Sequence, residues 1–339
     1  MTTNHVDNDI VEKIEQAGLV GRGGAGYSTA KKWREVAKAK GRQKYVVVNA
    51  SEGEAGLFKD LHILKNHADL VLGGVVLALD YLQTKDAYIN LNKKYHRLLR
   101  LNLEPRIKEC NDRGYNIKYF IETPSYIGGD ETALLNAIEG KRTEPRLKPP
   151  YPSISGLYGC PTLVNNVETF YNVGCVAAGI YARKRYYCLS GKLKHGGVYH
   201  LPEDWDIAQI LKETNNYPNF DFFVQVGGGA SGMVYDQNQL AGRPATGAGS
   251  VEVFDKRRTD PRKLVLRWLK FYQEESCGKC APCRVGTFEV YDLAKKHKHV
   301  PWPEMFAILE TMEATSFCPL GQSVIDPIRS YYKNVLKLA

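Results

Sequence analysis

The feature that most constrains this 339-residue chain is a group of cysteines near its C-terminal end. Cys277, Cys280 and Cys283 form a C-x-x-C-x-x-C motif, and Cys318 follows later, directly before a proline. Two-residue gaps let successive Sγ atoms converge on one side of a loop, and a remote Cys-Pro can supply a fourth thiolate. The chain must therefore fold so that two well-separated segments meet at one metal site.

A [4Fe–4S] cluster and a four-cysteine zinc site are the two candidates for this metal. Zinc sites usually come as two separated C-x-x-C pairs, so three equally spaced cysteines and a distant fourth favour the cluster. Lys279 and Arg284 would offset the negative charge of a thiolate-bound cluster. The remaining cysteines are scattered and indicate ordinary thiols in a reducing compartment, not a disulfide scaffold. They are Cys110, Cys160, Cys175 and Cys188.

Composition excludes several classes of protein. With 43% hydrophobic and 24% charged residues, the chain is typical of a globular protein of two or three domains. The net charge is +9, but no block of basic residues is interleaved with aromatics, so we expect no nucleic-acid partner. The longest apolar stretch, residues 70–79, is too short to cross a bilayer, and no export signal is apparent. We expect a cytoplasmic protein without direct membrane insertion, which could lie at the periphery of a membrane complex.

The first half of the chain predicts an α/β domain. Apolar strands at residues 45–48, 87–91 and 116–121 are separated by helical segments, one of them over about 60–82. Strands separated by helices predict a parallel sheet covered on both faces. Since ligands bind beyond the carboxyl ends of such strands, residues that directly follow them are the first candidates for a site.

The second half of the chain has a different order of predicted strands and helices. A hairpin at residues 186–190 and 197–201, a helix over 205–211 and strands at 220–226 and 251–254 predict a small β-β-α-β domain. Beyond Asp260-Pro261 we expect four helices separated by the cysteine segments.

The glycine-rich stretch Gly21–Gly26 formally matches G-x-G-x-x-G. A dinucleotide fingerprint needs a preceding strand, whereas the residues before Gly21 are helical, so we reject that interpretation. Two explanations remain. The stretch is either a tight interhelical turn or a place where backbone approaches a flat or anionic ligand.

Four further segments carry polar groups suited to ligands. Residues 49–54 could bind ribose hydroxyls, a metal or only water, and the acids of 128–132 could simply favour a helix N-terminus. Residues 148–152 form a proline-set loop that fixes a cation and an aromatic ring. Asn165 and Asn166 supply paired amides that suit a ring edge or a phosphate.

Seven ordered motifs resemble the flavoprotein subunit of respiratory complex I and its relatives in NAD-linked hydrogenases and formate dehydrogenases. They are GRGGAGYSTAKKW, VNASEGEAGLFKD, YIGGDETALLNAIEG, EPRLKPPYP, GCPTLVNNVET, TGAGSVEVFD, and ESCGKCAPCRVGT with FCPLG. The resemblance covers essentially the whole chain. It implies a Rossmann-like flavin domain (residues 1–183), a small ubiquitin-like β-grasp domain (184–258) and a four-helix iron–sulfur domain (259–339).

The resemblance also implies the site residues, which fall into three sets. FMN would contact Gly21, Gly23, Lys32, Asn49, Ser51, Glu52, Tyr126, Gly129, Asp130, Val164, Asn165 and Asn166. NADH would be held by Gly24, Tyr27, Glu54, Glu131, Lys148 and Tyr151. The four cysteines named above would ligate the [4Fe–4S] cluster.

Within the nucleotide set, Tyr27 and Tyr151 would sandwich the adenine, and the two glutamates would favour NADH over NADPH. The chain departs from the family pattern in four places: Ser51 for aspartate, Asp130 for glutamate, Gly128 for cysteine, and Glu35 for an aromatic residue.

The resemblance implies an NADH:acceptor oxidoreductase that passes electrons from FMN to the cluster. Because those electrons need an acceptor, we expect a thioredoxin-like [2Fe–2S] subunit and a larger iron–sulfur or catalytic subunit as partners. Three alternatives stay open: a relay or scaffold subunit without flavin, a zinc-stabilised interaction protein, and an enzyme that uses NADPH.

Overall fold

The structure is a computed structural model that describes residues 6–122 and 125–338. These residues form two compact units. The first contains the chain through Gly53 and from Phe58 to Arg185; the second contains Glu54–Leu57 and the chain from Tyr186. The sheet and the helical C-terminal region confirm the predicted α/β class. The three-domain division and the ubiquitin-like assignment remain predictions.

The first unit is built on a parallel sheet. Its strands are β1 (Tyr45–Ala50), β2 (Asp86–Asn92), β3 (Asn116–Glu122) and β4 (Thr162–Asn166). Their order is β3-β2-β1-β4, and every pair is parallel. The helices are α1 (Val6–Gln16), α2 (Thr29–Lys38), α3 (Lys59–Asn66), α4 (Ala68–Tyr81), α5 (Lys93–Asp112), α6 (Glu131–Ile138) and α7 (Val167–Ala177). Strands β1 to β3 confirm the three predicted strands.

The segment predicted as helical over about 60–82 is helical, but it consists of two helices, α3 and α4, that meet at 93°. The helical path is interrupted at His67, whose φ of −137° is not helical. Helix α4 then packs against α7. Strand β4 was not predicted, because Thr162–Asn166 is short and ends in two asparagines.

The crossing of α4 and α7 depends on two glycines. A Cβ at Gly74 would lie 2.1 Å from the carbonyl oxygen of Phe170, and a Cβ at Gly174 would lie 2.2 Å from that of Leu70. Only glycine lets the two backbones approach this closely. The buried apolar residues of both helices then cover one face of the sheet.

The second unit combines a mixed sheet with helices. The strands are β5 (Lys184–Gly191), β6 (Gly197–Pro202), β7 (Phe222–Val226), β8 (Met233–Asp236) and β9 (Ser250–Asp255), in the order β6-β5-β9-β7-β8. The helices are α8 (Ile207–Glu213), α9 (Pro261–Glu275), α10 (Ala281–Lys296), α11 (Trp302–Thr315), α12 (Pro319–Gln322) and α13 (Ile325–Tyr331). Strand β8 was not predicted. The fourth expected C-terminal helix is divided into α12, α13 and a π-helical turn, Tyr332–Leu336.

Within the described ranges, no single helix is both long and apolar enough to cross a membrane; only the bent pair α3 and α4, taken together, meets that length and composition.

Candidate cofactor-binding sites

The carboxyl ends of β1 and β4 mark the point where the strand order of the first unit reverses. The chain runs from β1 to β2 and β3 on one side, whereas β4 lies on the other side of β1. Such a switch point is where open parallel sheets bind ligands. Asn49 and Asn166 are paired in register there, and the Asn166 Nδ2 donates to the Asn49 carbonyl oxygen at 3.3 Å. The two amides predicted for FMN are thus neighbours at this edge.

Hydrogen bonds join the end of β1 to the segment that precedes α6. The Asn49 Nδ2 donates to the Gly129 carbonyl at 2.9 Å, and the Ser51 Oγ donates to the Gly128 carbonyl at 3.1 Å. Ser51 in turn accepts from the Asn90 Nδ2 at 2.7 Å. These bonds bring three predicted FMN residues together, and they add Asn90, which the sequence did not single out.

Two lysines and two carboxylates meet at the same edge. The Lys32 Nζ donates to Glu131 at 3.0 Å and to the Val164 carbonyl at 2.9 Å. The Lys148 Nζ lies 3.3 Å from Glu131 and 3.6 Å from Asp130. Both lysine side chains are only partly buried, so their charge remains available to an anionic ligand.

The stretch Gly21–Gly26 is a loop between α1 and α2. The Gly21 amide donates to the Tyr27 carbonyl at 2.8 Å, which closes the loop, and Gly24 has a φ of +115° that favours glycine. A Cβ at Gly23 would lie 3.3 Å from the Cβ of Asn166. The loop is therefore an interhelical turn, and it passes close to the end of β4. That its backbone also approaches a ligand stays a prediction.

The aromatic residues expected at the nucleotide differ in their surroundings. Tyr27 is 42% exposed, and its hydroxyl donates to Glu35 at 2.6 Å, a bond that raises the pKa of Tyr27. Tyr151 is 56% exposed. Tyr126, the aromatic residue predicted for FMN, is partly buried. Glu35, a departure from the family pattern, is thus the partner of a residue predicted to bind NADH.

Asn165 is oriented by a residue of helix α2. With its side-chain amide placed so that both polar atoms are satisfied, it accepts from the Trp33 Nε1 at 3.0 Å. Trp33 is fully buried in α2, so its indole fixes Asn165 from the core side.

Glu52 lies in the segment that follows β1, is partly buried and caps the N-terminus of helix α3. Its carboxylate accepts from the Asp60 amide at 2.9 Å, the Leu61 amide at 3.3 Å and the Tyr95 hydroxyl at 2.8 Å. Burial and the neighbouring Asp60 raise the pKa of Glu52 to about 8, although Lys59 and these hydrogen bonds act in the opposite direction. Glu52 therefore connects the segment after β1 to the start of α3.

A buried lysine lies next to this glutamate. The Lys59 Nζ is 2.7 Å from Asp60, 3.2 Å from Glu168 and 3.0 Å from the Asn166 Oδ1. Lys59 is 2% exposed and Glu168 is fully buried. The sequence did not predict this group, because charges at helix starts usually lie in solvent. Its only signal was that the three charged residues fall within motifs quoted for the family resemblance.

The chemistry of these groups fits FMN. Neighbouring amides suit the polar edge of a flavin ring, Lys32 suits a phosphate, and a glycine loop lets backbone come close to a flat ring.

In the second unit, Glu54 is held by the loop between β7 and β8. Its Oε1 accepts from the Ser231 hydroxyl at 2.7 Å, the Ser231 amide at 3.0 Å and the Ala230 amide at 3.4 Å. Glu54 is 8% exposed, and burial raises its pKa while these hydrogen bonds oppose the rise. The sequence predicted a role for Glu54 but not this loop.

The four predicted cluster cysteines lie at the starts of two helices. Cys280 immediately precedes α10 and Cys318 immediately precedes α12. Burial raises the pKa of the Cys283 thiol to about 11; a hydrogen bond with Ser276 at 3.3 Å opposes this rise, and Cys280, Cys318 and Cys277 add to it. All four are free cysteines. Helix N-termini favour thiolate ligands.

Over residues 6–122 and 125–338, no three His, Cys, Asp or Glu side chains form a group that could hold a single metal ion. The thiolate set with a remote Cys-Pro fits an iron–sulfur cluster in its donor chemistry.

Comparison with known proteins identifies two cofactor-binding regions in the chain. Residues 14–174 match the Nuo51 FMN-binding domain, and residues 263–336 match the NADH-ubiquinone oxidoreductase-F iron–sulfur binding region. The chain is 35% identical to an NADH-quinone oxidoreductase subunit of Rhizobium meliloti, over 83% of this chain and 75% of that protein. It is 31% identical to an NADH-quinone oxidoreductase subunit of Streptomyces coelicolor, over 96% of this chain and 81% of that protein.

Among solved structures, an NAD+-reducing [NiFe]-hydrogenase in the H2-reduced state matches with a TM-score of 0.90 and 31% identity. The match covers 98% of this chain and 62% of the hydrogenase chain, so this chain spans less than two thirds of that protein. The two matched regions, together with the curated relatives, show that the chain belongs to the NADH-ubiquinone oxidoreductase-F family, with that family's FMN-binding and iron–sulfur binding regions.

Proposed function

We propose that this chain is the NADH-oxidising subunit of a multi-subunit oxidoreductase. The observation that carries the proposal is the meeting of Asn49, Asn166, Lys32 and Glu131 at the switch point of the parallel sheet. FMN held by these residues would supply hydride-accepting chemistry and the change from two-electron to one-electron transfer towards a [4Fe–4S] cluster. Hydride transfer needs no protein acid or base, so the residues of this chain serve to bind and orient FMN and NADH.

The proposed FMN residues have separate tasks. The amides of Asn49, Asn165 and Asn166 bind the polar edge of the ring, and Lys32 neutralises phosphate charge. Backbone groups of the glycine loop contact the ligand, and partly buried Glu52 ties the segment after β1 to the start of α3.

The proposed NADH residues supply stacking and hydroxyl recognition. Tyr27 and Tyr151 are both about half-exposed, which leaves ring faces for the adenine. Glu54 and Glu131 accept from ribose hydroxyls, and their charge disfavours the added phosphate of NADPH. Lys148 neutralises negative charge on the pyrophosphate of NADH.

The proposed cluster ligands are Cys277, Cys280, Cys283 and Cys318. A thioredoxin-like [2Fe–2S] subunit and a larger iron–sulfur or catalytic subunit are the proposed partners.

The test is an anaerobic titration of the chain purified in its native complex. We expect bound FMN, iron and acid-labile sulfide, and bleaching of the flavin absorbance by NADH well before NADPH. Protein that contains no flavin, or whose flavin stays oxidised under excess NADH, would reject the proposal. Faster bleaching by NADPH would reject the assigned nucleotide only.

A further inference from the structure

Among the described residues, the loop between β7 and β8 donates hydrogen bonds to one oxygen of the Glu54 carboxylate. All three donors to it among the described residues, the Ser231 hydroxyl and the amides of Ser231 and Ala230, converge on Oε1. Hydrogen bonds to a charged acceptor are among the stronger ones in proteins. They fix the rotamer of Glu54 and leave Oε2 to accept from a ligand.

Two glycines make room for this arrangement. A Cβ at Gly228 would lie 1.8 Å from the Glu54 Oε1 and 2.1 Å from its Cδ, so the carboxylate lies directly against the Gly228 backbone. A Cβ at Gly229 would lie 2.3 Å from the Ala55 carbonyl oxygen, and the Gly229 amide donates to that oxygen at 3.0 Å. Glycine is required at both positions because any side chain would push Glu54 and Ala55 away.

The far side of the loop is held by helix α9. The Arg267 guanidinium donates to the Gly229 carbonyl at 3.4 Å and pairs with Glu252 at 2.8 Å. The buried Tyr272 hydroxyl lies 3.4 Å from the Ala230 carbonyl. Helix α9 therefore holds the carbonyl side of the loop, while the Ser231 and Ala230 amides point to Glu54.

We propose that segment 228–231 positions Glu54 for the nucleotide, with Ser231 as a positioning residue that sets which carboxylate oxygen meets a ribose hydroxyl. This inference rests on the proposed function, in which Glu54 binds NADH. Ser231 acts through Glu54 and has no contact with the nucleotide.

The test compares Ser231→Ala with Ser231→Thr in the native complex. We expect the alanine variant to raise KM for NADH and the Kd for NAD+, measured by calorimetry on the oxidised protein, by about tenfold, the lower end of what one hydrogen bond to a charged group is worth. The kcat and the FMN and iron contents should stay unchanged. Threonine keeps the hydroxyl and should restore most of the affinity.

A double variant separates positioning from general damage. In a Glu54→Ala background, Ser231→Ala should add no further loss of affinity, since its effect passes through that carboxylate. Ser330→Ala is the matched control: it removes a buried serine hydroxyl of the same unit, which accepts from the Val234 amide at 2.9 Å, and should leave KM unchanged.

The outcomes distinguish this inference from the function beneath it. If wild-type protein does not bind NAD+ or oxidise NADH, the proposed function fails. If Glu54→Ala weakens binding but Ser231→Ala does not, or if the two losses add, the positioning inference alone is overturned.

Discussion

Asn49 at the end of β1 and Asn166 at the end of β4 are paired in register, and the side chain of the second donates to the backbone of the first at 3.3 Å. They are 117 residues apart in sequence. They lie at the switch point of the sheet, where a loop leaves β1 and helix α7 directly follows β4. The candidate flavin site depends on this one strand pairing.

Lys32 should be needed for flavin binding. Lys32→Met removes the cation that bonds Glu131 and the Val164 carbonyl, so bound FMN per polypeptide should fall several-fold. Lys38→Met, at an exposed position of the same helix, is the control and should keep full flavin content. Equal flavin in both variants, measured after release by acid, would contradict the assignment.

The cluster should require the remote cysteine. Cys318→Ser should reduce iron and acid-labile sulfide to a small fraction of the wild-type content, because a cubane needs its fourth thiolate. Cys160→Ser removes a partly exposed thiol from the other unit and should change neither quantity. Retention of the full cluster in the first variant would remove Cys318 from the ligand set.

The crossing of α4 and α7 should not tolerate a methyl group. Gly74→Ala places a Cβ 2.1 Å from the Phe170 carbonyl and should lower the free energy of unfolding by about 1–3 kcal/mol, as overpacked cores do. Gly73→Ala, one residue earlier, has no atom within 4 Å of its new Cβ and should be neutral or stabilising by up to about 1 kcal/mol. Urea unfolding measures both. Similar stability of the two variants would show that the helices move apart freely.

Lys59 should stabilise the first unit strongly. Lys59→Met leaves the buried carboxylates of Asp60 and Glu168 without their cation, and breaking a buried ion pair in this way costs about 3–5 kcal/mol. Lys108→Met, which breaks an exposed pair with Asp112, should have no measurable effect on unfolding. A small loss in the first variant would mean that water or a proton compensates the carboxylates.

The raised pKa of Glu52 gives stability a definite pH dependence. The folded pKa of about 8 exceeds the ordinary value of 4.5, so the folded protein keeps a proton that the unfolded chain releases. The stabilisation is complete below pH 4.5 and is lost as pH rises towards 8, by up to about 1.4 kcal/mol per pH unit.

Glu52→Gln tests this dependence because it cannot ionise. Its unfolding free energy relative to wild type should shift in favour of the variant between pH 5 and pH 8, as measured by urea unfolding at several pH values. A constant difference across that range would show that Glu52 is already ionised in the folded protein. Glu15→Gln, at a surface carboxylate, should produce no such trend.

The sequence by itself determined strands β1 to β3, and it predicted the cysteine ligand set and the candidate segments that follow β1 and β3. These are local properties: ligand spacing, apolar runs and turn residues are all readable within short windows. The seven ordered motifs supplied the family resemblance, since their order along the chain does not depend on contacts.

Tertiary structure alone decided where β4 lies, where the helix over 60–82 breaks, and what surrounds Lys59 and Glu54. A short strand such as Thr162–Asn166 gains its hydrogen bonds only from β1, far away in sequence. Lys59 is buried because Glu168, from a distant segment, joins the adjacent Asp60 in pairing with it. Likewise, nothing near Glu54 in sequence reveals Ser231, because their contact spans 177 residues. Burial and long-range pairing come from the whole chain, and local patterns do not encode them.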